Sequence, residues 1–566
     1  MRNALAEKTI TKLLAIGAPV VTVFILVSTV SDPVNVTKMW VAGGVAVSVM
    51  AVAATFFLKE IWANFKTLLF AVFVFLLACL NAVIQSDAPF LQNLYGAYGR
   101  NTGLLAYLFL SCIMIGAVAI KSQDSFKKIT LGLVVAGSIN VVYCAWVLAF
   151  GDFLPWNNPY GNILGLFGNP NFIGSFLGIF CSVIVALSLS KEASARQRVF
   201  YGILFLIAAY EIKESKAIQG IVVTASGFAI VGFFYLRSRF KSWYPLFLYV
   251  FIVGVIGTLS LLGALQKGPF DFIYKRSVSL RGAYWDAGIT MGSAHPFSGV
   301  GMDSYGDWYR RARSVEAATD TPGLATVTNA AHNVVIDFFA YGGYPLLLSY
   351  LFILILGSIA IVRVALRTKG YDAIFVAMSV AWACYHLQSI ISINQIGLAI
   401  WGWLFTGLLV AYEFSTRQSQ SRASDENKAK TRGRGPQQAN VVTPSLISFI
   451  GLVLGLIVAA PPLSADVKWR SALESQDASK VVSSLDSSLF NPVNSQQLNQ
   501  AIQLFMGSNL TNEAREAALK SITFNPDSFD AWRLFYFLPN SSEEEKQSAK
   551  ENMQRIDPLN PDVTKP

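Results

Sequence analysis

Two of the chain's three histidines, His295 and His332, and five arginines, Arg276, Arg281, Arg310, Arg311 and Arg313, fall in one polar stretch, residues 266–333. Guanidinium keeps its charge at any physiological pH, and its planar fork of N–H donors matches phosphate and pyrophosphate oxygens in pairs. Imidazole titrates near neutrality. His332 stands just before an apolar run, where it is placed to take a proton from a reacting hydroxyl. From spacing alone, the competing reading of His332 is a helix-start residue bonded to backbone. Five arginines in a wet loop are by default solvated surface. His295, in AHPFSGVG, reads as part of a turn, and His386, inside an apolar run, as a hydrogen-bonded bundle residue.

Further cations stand at the edges of apolar runs. Arg100 lies in NLYGAYGRNTG, and Lys213 and Lys216 lie in EIKESK, while a Gly-Asn-Pro-Asn turn spans 168–171. Alone, each cation is a side chain reaching for headgroups. Together they would ring a cavity suited to an anionic lipid headgroup.

The elements that must position these groups are apolar helices. The 566 residues are 54% hydrophobic and only 14% charged, with a mean hydropathy of +0.48, a composition that indicates an integral membrane protein. Segments of about 20 apolar residues suffice to cross a bilayer as helices. Candidates lie at 13–30, 39–58, 67–84, 103–120, 129–150, 172–190, 199–210, 217–236, 245–265, 334–362, 373–391, 395–413 and 445–463. The expected fold is therefore an all-α polytopic membrane helical bundle of about 12–13 spans, with the short seventh segment uncertain in kind. The first segment lacks a clear signal-peptide cleavage site.

The net charge of +10 raises the question of nucleic acid, but Lys and Arg cluster in alternate loops. The positive-inside rule puts those loops and the N-terminus in the cytoplasm, and 31–38, 85–102, 151–171, 211–216, 266–333 and the tail outside. No nucleic-acid partner is expected. All five cysteines fall within expected spans, so no disulfide framework is predicted. No Cys-x-x-Cys, His-Glu-x-x-His, Walker-type loop or paired-Asp nucleotide-sugar motif occurs, so no metal, cofactor or cytoplasmic nucleotide donor is expected.

The domain plan follows. Residues 1–413 form the membrane domain with 266–333 as its large extracytoplasmic loop, and 414–440 reads as a disordered basic cytoplasmic linker. Residues 441–463 form a last span ending at Pro461-Pro462, and 464–566 an extracytoplasmic helical domain. In that tail Asn-Pro recurs at 491–492, 525–526 and 560–561, a period of 34 to 35 residues like that of tetratricopeptide repeats, without their usual Trp and Gly-Tyr positions.

The ordered set GRNTG, GLFGNPNFIGSFL, ESK, RGAYW…HPFSGVG and AHNVVIDFFAYGG resembles the bacterial O-antigen ligase and polymerase superfamily over roughly residues 85–363. The resemblance implies metal-independent glycosyl transfer on the outer face of the cytoplasmic membrane. The implied donor is a glycan on undecaprenyl pyrophosphate, and the acceptor is a hydroxyl on another glycan, a lipid core or a protein. His332 matches the family's proposed base and Arg281 its loop arginine, with Arg276 an adjacent candidate. Arg100 and Lys216 match basic positions expected to hold the pyrophosphate. Lysine at 216 departs from the more common arginine, and Ala340 and Tyr341 replace an acidic position, leaving Asp337 as the nearest carboxylate. Two other classes remain open at this level, a transporter or flippase of lipid-linked oligosaccharide and an exported scaffold. The absence of an internal repeat and the near absence of charge within the spans weigh against transport.

Overall fold

The computed structural model describes residues 2–425 and 443–564. Among the described residues the fold is helical, apart from an isolated bridge between Ser488 and Asn491. The bundle opens with α1 (Arg2–Val23), α2 (Asn35–Asn64), α3 (Lys66–Gln85), the short α4 (Phe90–Tyr95) and α5 (Leu104–Ala117). It continues through α6 (Gln123–Phe150), α7 (Pro170–Ser188), α8 (Ala195–Glu214), α9 (Ile218–Arg239) and α10 (Tyr244–Ala264). The polar stretch carries α11 (Arg276–Ala294), α12 (Tyr305–Ala312) and α13 (Val315–Thr319), and then α14 (Val334–Arg367), α15 (Ala373–Ser389) and α16 (Ile396–Asp425) return to the bundle. A bent pair, α17 (Pro444–Val458) and α18 (Ala460–Ser475), leads into the tail. There α19 (Ala478–Ser484), α20 (Ser495–Gly507), α21 (Thr511–Phe524), α22 (Phe529–Tyr536), α23 (Glu543–Ile556) and α24 (Pro561–Thr564) follow.

Each of the apolar segments read as a span is helical. Among the described residues eight helices, α2, α3, α6, α7, α9, α10, α14 and α16, are long and apolar enough to cross a bilayer, and the α17–α18 pair, bent by 48°, makes up to nine. The expected 12–13 also counted α1 and α8, whose ends carry charged residues, and α5 and α15, which are apolar but shorter. EIKESK, expected as loop, is helical through Glu214. The expected linker likewise begins as helix. Residues 414–425 continue α16, anchored where Arg367 Nη1 meets Glu413 at 2.7 Å, while 426–440 lie outside the described residues. Helix α17 ends at Val458, and the chain bends by 48° just before Pro461 and Pro462. They occupy the first turn of α18, where a missing N–H costs no helical bond.

The loops sort into two faces. On one, Glu7 accepts the Lys121 and Ser122 amides and Lys121 reaches Glu60. On the other, the amides of Ser31 and Asp32 bond Asp466 at 2.8 Å, Asn35 bonds the Gly99 carbonyl at 2.7 Å, and Tyr95 bonds the Leu489 carbonyl at 3.0 Å. This second face, the loop face, joins the first loop, the α3–α5 connection, the polar stretch and the tail. Near it α1 ends at Val23, and the buried Lys38 of α2 donates to the freed carbonyls of Val21, Thr22 and Phe24. A cation at a helix C-terminus meets both the orphan carbonyls and the dipole.

The tail forms its own core around Trp469, Leu498, Ile502, Phe505, Leu534 and Phe535. Its five free bundle cysteines notwithstanding, the chain has no disulfide among the described residues.

Candidate active site

The site begins with a break in α14. Gly342 and Gly343 leave helical geometry, Gly343 at φ +62°, and Pro345 follows. Proline cannot bond the carbonyl four residues back, so Tyr341 O loses its helical donor. The AHPFSGVG segment fills the gap. Gly301 N donates to Tyr341 O at 3.1 Å, Val300 N to Ala340 O at 2.8 Å, and Tyr344 N turns to Pro296 O at 2.8 Å. So close a backbone pairing excludes side chains. A Cβ on Gly299 would lie 2.2 Å from the Tyr341 carbonyl carbon, and one on Gly343 2.2 Å from Pro296 O. The two glycine-rich motifs are thus halves of one joint.

Asp303 ties a third motif to this joint. Its buried carboxylate accepts from Ala97 N at 2.8 Å, Thr102 N at 3.3 Å, Thr102 Oγ1 at 3.1 Å and Tyr341 OH at 3.3 Å. The GRNTG loop is thereby fixed, with Arg100 pointing inward. Arg100 is only 5% exposed, and the one hydrogen bond of its side chain among the described residues goes from Nη2 to Asn329 Oδ1. It makes no ion pair there, and its Nε is buried without an acceptor. The buried Asp337 carboxylate acts on it only through space, and an enclosed guanidinium without a direct ion pair costs free energy unless an anion meets it.

His332 sits beside it. Its backbone is left-handed, φ +58°, an uncommon state for a residue with a Cβ. Its neighbours hold it there. Ala331 N donates to Asp337 Oδ1 at 2.7 Å, and Asn333 caps α14 by accepting from Val335 N and Ile336 N at 3.0 and 3.3 Å. Nδ1 lies 3.2 Å from Ala330 O, an arrangement that fixes the Nδ1–H tautomer and leaves the Nε2 lone pair free. The ring packs 5.4 Å from that of Tyr284. Burial first, and then the charges of Arg100 and Arg281, push the imidazole down to about 4, so it is neutral at neutral pH.

Arg281 reaches this point because α11 presents it one turn before Tyr284, on the stripe continued by Gly288 and Met291. Gly288 and Gly292 let α11 close on Ile336 and Phe339 of α14. Burial holds the Arg281 guanidinium below its usual range, and it has no hydrogen bond or ion pair among the described residues. Arg100, Arg281 and His332 therefore share one electrostatic environment.

The other sequence candidates go elsewhere. Arg276, at the start of α11, and Lys216, in a left-handed turn before α9, are exposed, and no hydrogen bond or ion pair joins either to the cluster. Arg310 and Arg313 pair with Asp557 at 3.0 and 2.7 Å, and Arg311 with Asp527 at 2.5 Å, so these three face the tail. His295 follows α11 in a turn, its ring 4.8 Å from Trp308. His386 lies near the end of α15, 3.4 Å from Tyr350 OH. Sequence reasoning missed Asp303, Asn329 and Tyr284. The only prior signal for Asp303 was its place after GVG, in a segment already read as a turn. Among the described residues, no three of His, Cys, Asp or Glu converge as a metal shell.

Residues 203–351 match the family model described as O-Antigen ligase. The match takes in Lys216, Arg276, Arg281 and His332, while Arg100 lies before it. No curated protein matches the chain.

Proposed function

We propose that this membrane protein, whose residues 203–351 form an O-antigen ligase domain, transfers a glycan from a polyprenyl pyrophosphate, undecaprenyl pyrophosphate in a bacterial envelope, to an acceptor hydroxyl. The single observation that carries the reading is the buried Arg100 guanidinium, without an ion pair beside a neutral imidazole whose Nε2 is free. His332 Nε2 takes the proton of the acceptor hydroxyl as its oxygen attacks the anomeric carbon. The bond from that carbon to the pyrophosphate oxygen breaks, and the oxygen keeps the electron pair. Arg100 and Arg281 neutralise the charge that develops there, a task metal ions perform in other enzymes. One attack inverts the anomeric centre. Lys216 and Arg276, both exposed, act as capture charges for the incoming pyrophosphate.

By the positive-inside rule the loop face is extracytoplasmic, the membrane is the cytoplasmic one, and the N-terminus lies inside. Acceptors of the reading are another glycan, a lipid core or a protein. We read the tail as tetratricopeptide-like, with α20–α21 and α22–α23 as helix pairs and Asn-Pro turns closing the units.

The test uses purified protein in nanodiscs with a glycan-loaded undecaprenyl pyrophosphate. Acceptor-dependent release of undecaprenyl pyrophosphate that disappears in His332→Ala and persists in chelator supports the reading. Release unaffected by His332→Ala removes the assigned base. Movement of intact donor across the bilayer without release would replace transfer by transport.

A further inference from the structure

Helix α12 has two working faces. Tyr305 and Tyr309 are fully buried on one of them, stacked on each other with centroids 6.2 Å apart. Tyr305 OH donates to the Tyr284 carbonyl, and Tyr309 meets the Tyr284 ring edge-on at 5.9 Å. Tyr284 is the residue that covers His332. On the same side Gly306 abuts Asn329, the partner of Arg100, so closely that a Cβ there would lie 3.2 Å from the Asn329 Cβ.

The other face belongs to the tail. Asp557, which ends α23, binds Arg310 and Arg313 together, and the Asp557 and Arg313 side chains have no exposure at all. Arg310 also lies over the Phe529 ring at 4.2 Å. Arg311 reaches Asp527, and Asp307 accepts from Asn525 Nδ2 at 3.1 Å and from Gln92 Nε2 at 2.8 Å. Asn525, Asp527 and Asp557 all belong to the turns that close the helical units of the tail. Turn residues repeated along the tail are therefore aligned on a single eight-residue helix.

We infer that the C-terminal domain is a docking clamp for the catalytic loop, with Asp557 and Asp527 as positioning residues that hold α12, and through it Tyr284, His332 and Asn329, in register. The inference rests on the assignment of His332 and Arg100 to the reacting centre. The clamp is ionic and buried. Removing its carboxylate strands two guanidinium groups in a dry contact, which favours separation of the surfaces. A displacement of about 1 Å at a reacting geometry costs on the order of 10²-fold in rate.

The experiment compares the full-length protein in nanodiscs with Asp557→Asn, Asp557→Glu and Asp527→Asn. Hydrogen exchange across 305–332 reads docking without reference to activity, and the pH profile of transfer reads the environment of His332. The expected result for Asp557→Asn is faster exchange confined to α12 and the 313–332 segment, about a hundredfold lower kcat, and an acid limb moved up as the imidazole loses its cover. Asp557→Glu should restore part of each, and Asp527→Asn should show smaller changes in the same sense. Faster exchange with wild-type turnover and an unmoved acid limb overturns the clamp's positioning role. Unchanged exchange overturns the clamp itself. Loss of turnover with an unmoved acid limb and exchange raised throughout the bundle would show general unfolding and also overturn it. If wild-type turnover survives His332→Ala, the assignment of the reacting centre fails, whatever the exchange pattern shows.

Discussion

Replacing Arg100 by glutamine separates the two jobs its charge performs. In the free protein His332 is pushed from an ordinary 6.5 down to about 4. At about 1.4 kcal/mol per pH unit, that displacement amounts to roughly 3 kcal/mol in favour of the neutral ring. Burial is the largest cause, Arg100 the next and Arg281 the smallest, with the Ala330 carbonyl opposing them. Loss of the Arg100 charge should therefore return part of the displacement and raise the acid limb of kcat/KM, while burial holds it below the ordinary imidazole value. Donor binding acts in the same direction. Pyrophosphate brings negative charge to the two guanidinium groups, so in wild type the acid limb of kcat should lie above that of kcat/KM. The imidazole then becomes a stronger base when a substrate is present to use it. Arg100→Gln should also cost on the order of 10²-fold in kcat through the lost stabilisation of the leaving group. The assay is the initial rate of acceptor-dependent polyprenyl pyrophosphate release between about pH 4 and pH 8. A wild-type acid limb of kcat/KM near the ordinary imidazole value, or one that does not rise in Arg100→Gln, refutes the electrostatic coupling on which the reading depends.

Three further outcomes follow from the supports of the site. Asp303→Ala leaves the Ala97 and Thr102 amides without their shared acceptor; at about 1–3 kcal/mol for each buried unsatisfied group, the thermal midpoint in detergent should fall and turnover with it, and an unchanged midpoint would dismiss Asp303 as the hub. Gly343→Ala forces a Cβ to within 2.2 Å of Pro296 O at a left-handed φ, so it should lower folded yield sharply by size-exclusion profile, whereas Gly282→Ala, with nothing within 4 Å, should leave it unchanged. Lys38→Met removes the donor from three carbonyls at the end of α1 and should destabilise by about 1–3 kcal/mol in a denaturant titration; equal stability would show that water or a neighbour replaces the ammonium.

Much of the architecture was legible because it rests on one-dimensional rules. Apolar length marked the long helices of the bundle though not the short α4, and alternating charge separated loops that the structure places on two faces. Boundaries failed where a local signal competed with tertiary anchoring. Composition made 414–425 a polar linker, yet Arg367, far off in sequence, holds Glu413 and with it the start of that extension. Pro461-Pro462 looked like a stop because proline ends helices, but within the first turn of α18 it is a start.

The site was legible in its residue types and opaque in their division of labour. Arg276, Arg281, Arg310, Arg311 and Arg313 share one side chain and one loop, and no local pattern ranks them. What separates them is the location of carboxylates. Asp557 lies 247 positions from Arg310 and 244 from Arg313, and it takes both. Asp527 takes Arg311. Arg281 meets no carboxylate, because its helix face closes on the tyrosines and glycines that pack α11 against α14. Arg100 makes no ion pair either, since Asp303 spends its acceptor capacity on backbone amides and hydroxyls and Asp337 accepts the Ala331 amide. Arg276 stays exposed, and the two enclosed guanidinium groups left without an ion pair are therefore defined by the fold's pairing of Arg310, Arg311 and Arg313. In this chain that pairing is made by the tail, whose acidic turns neutralise the arginines of α12 and leave the uncompensated charge beside His332.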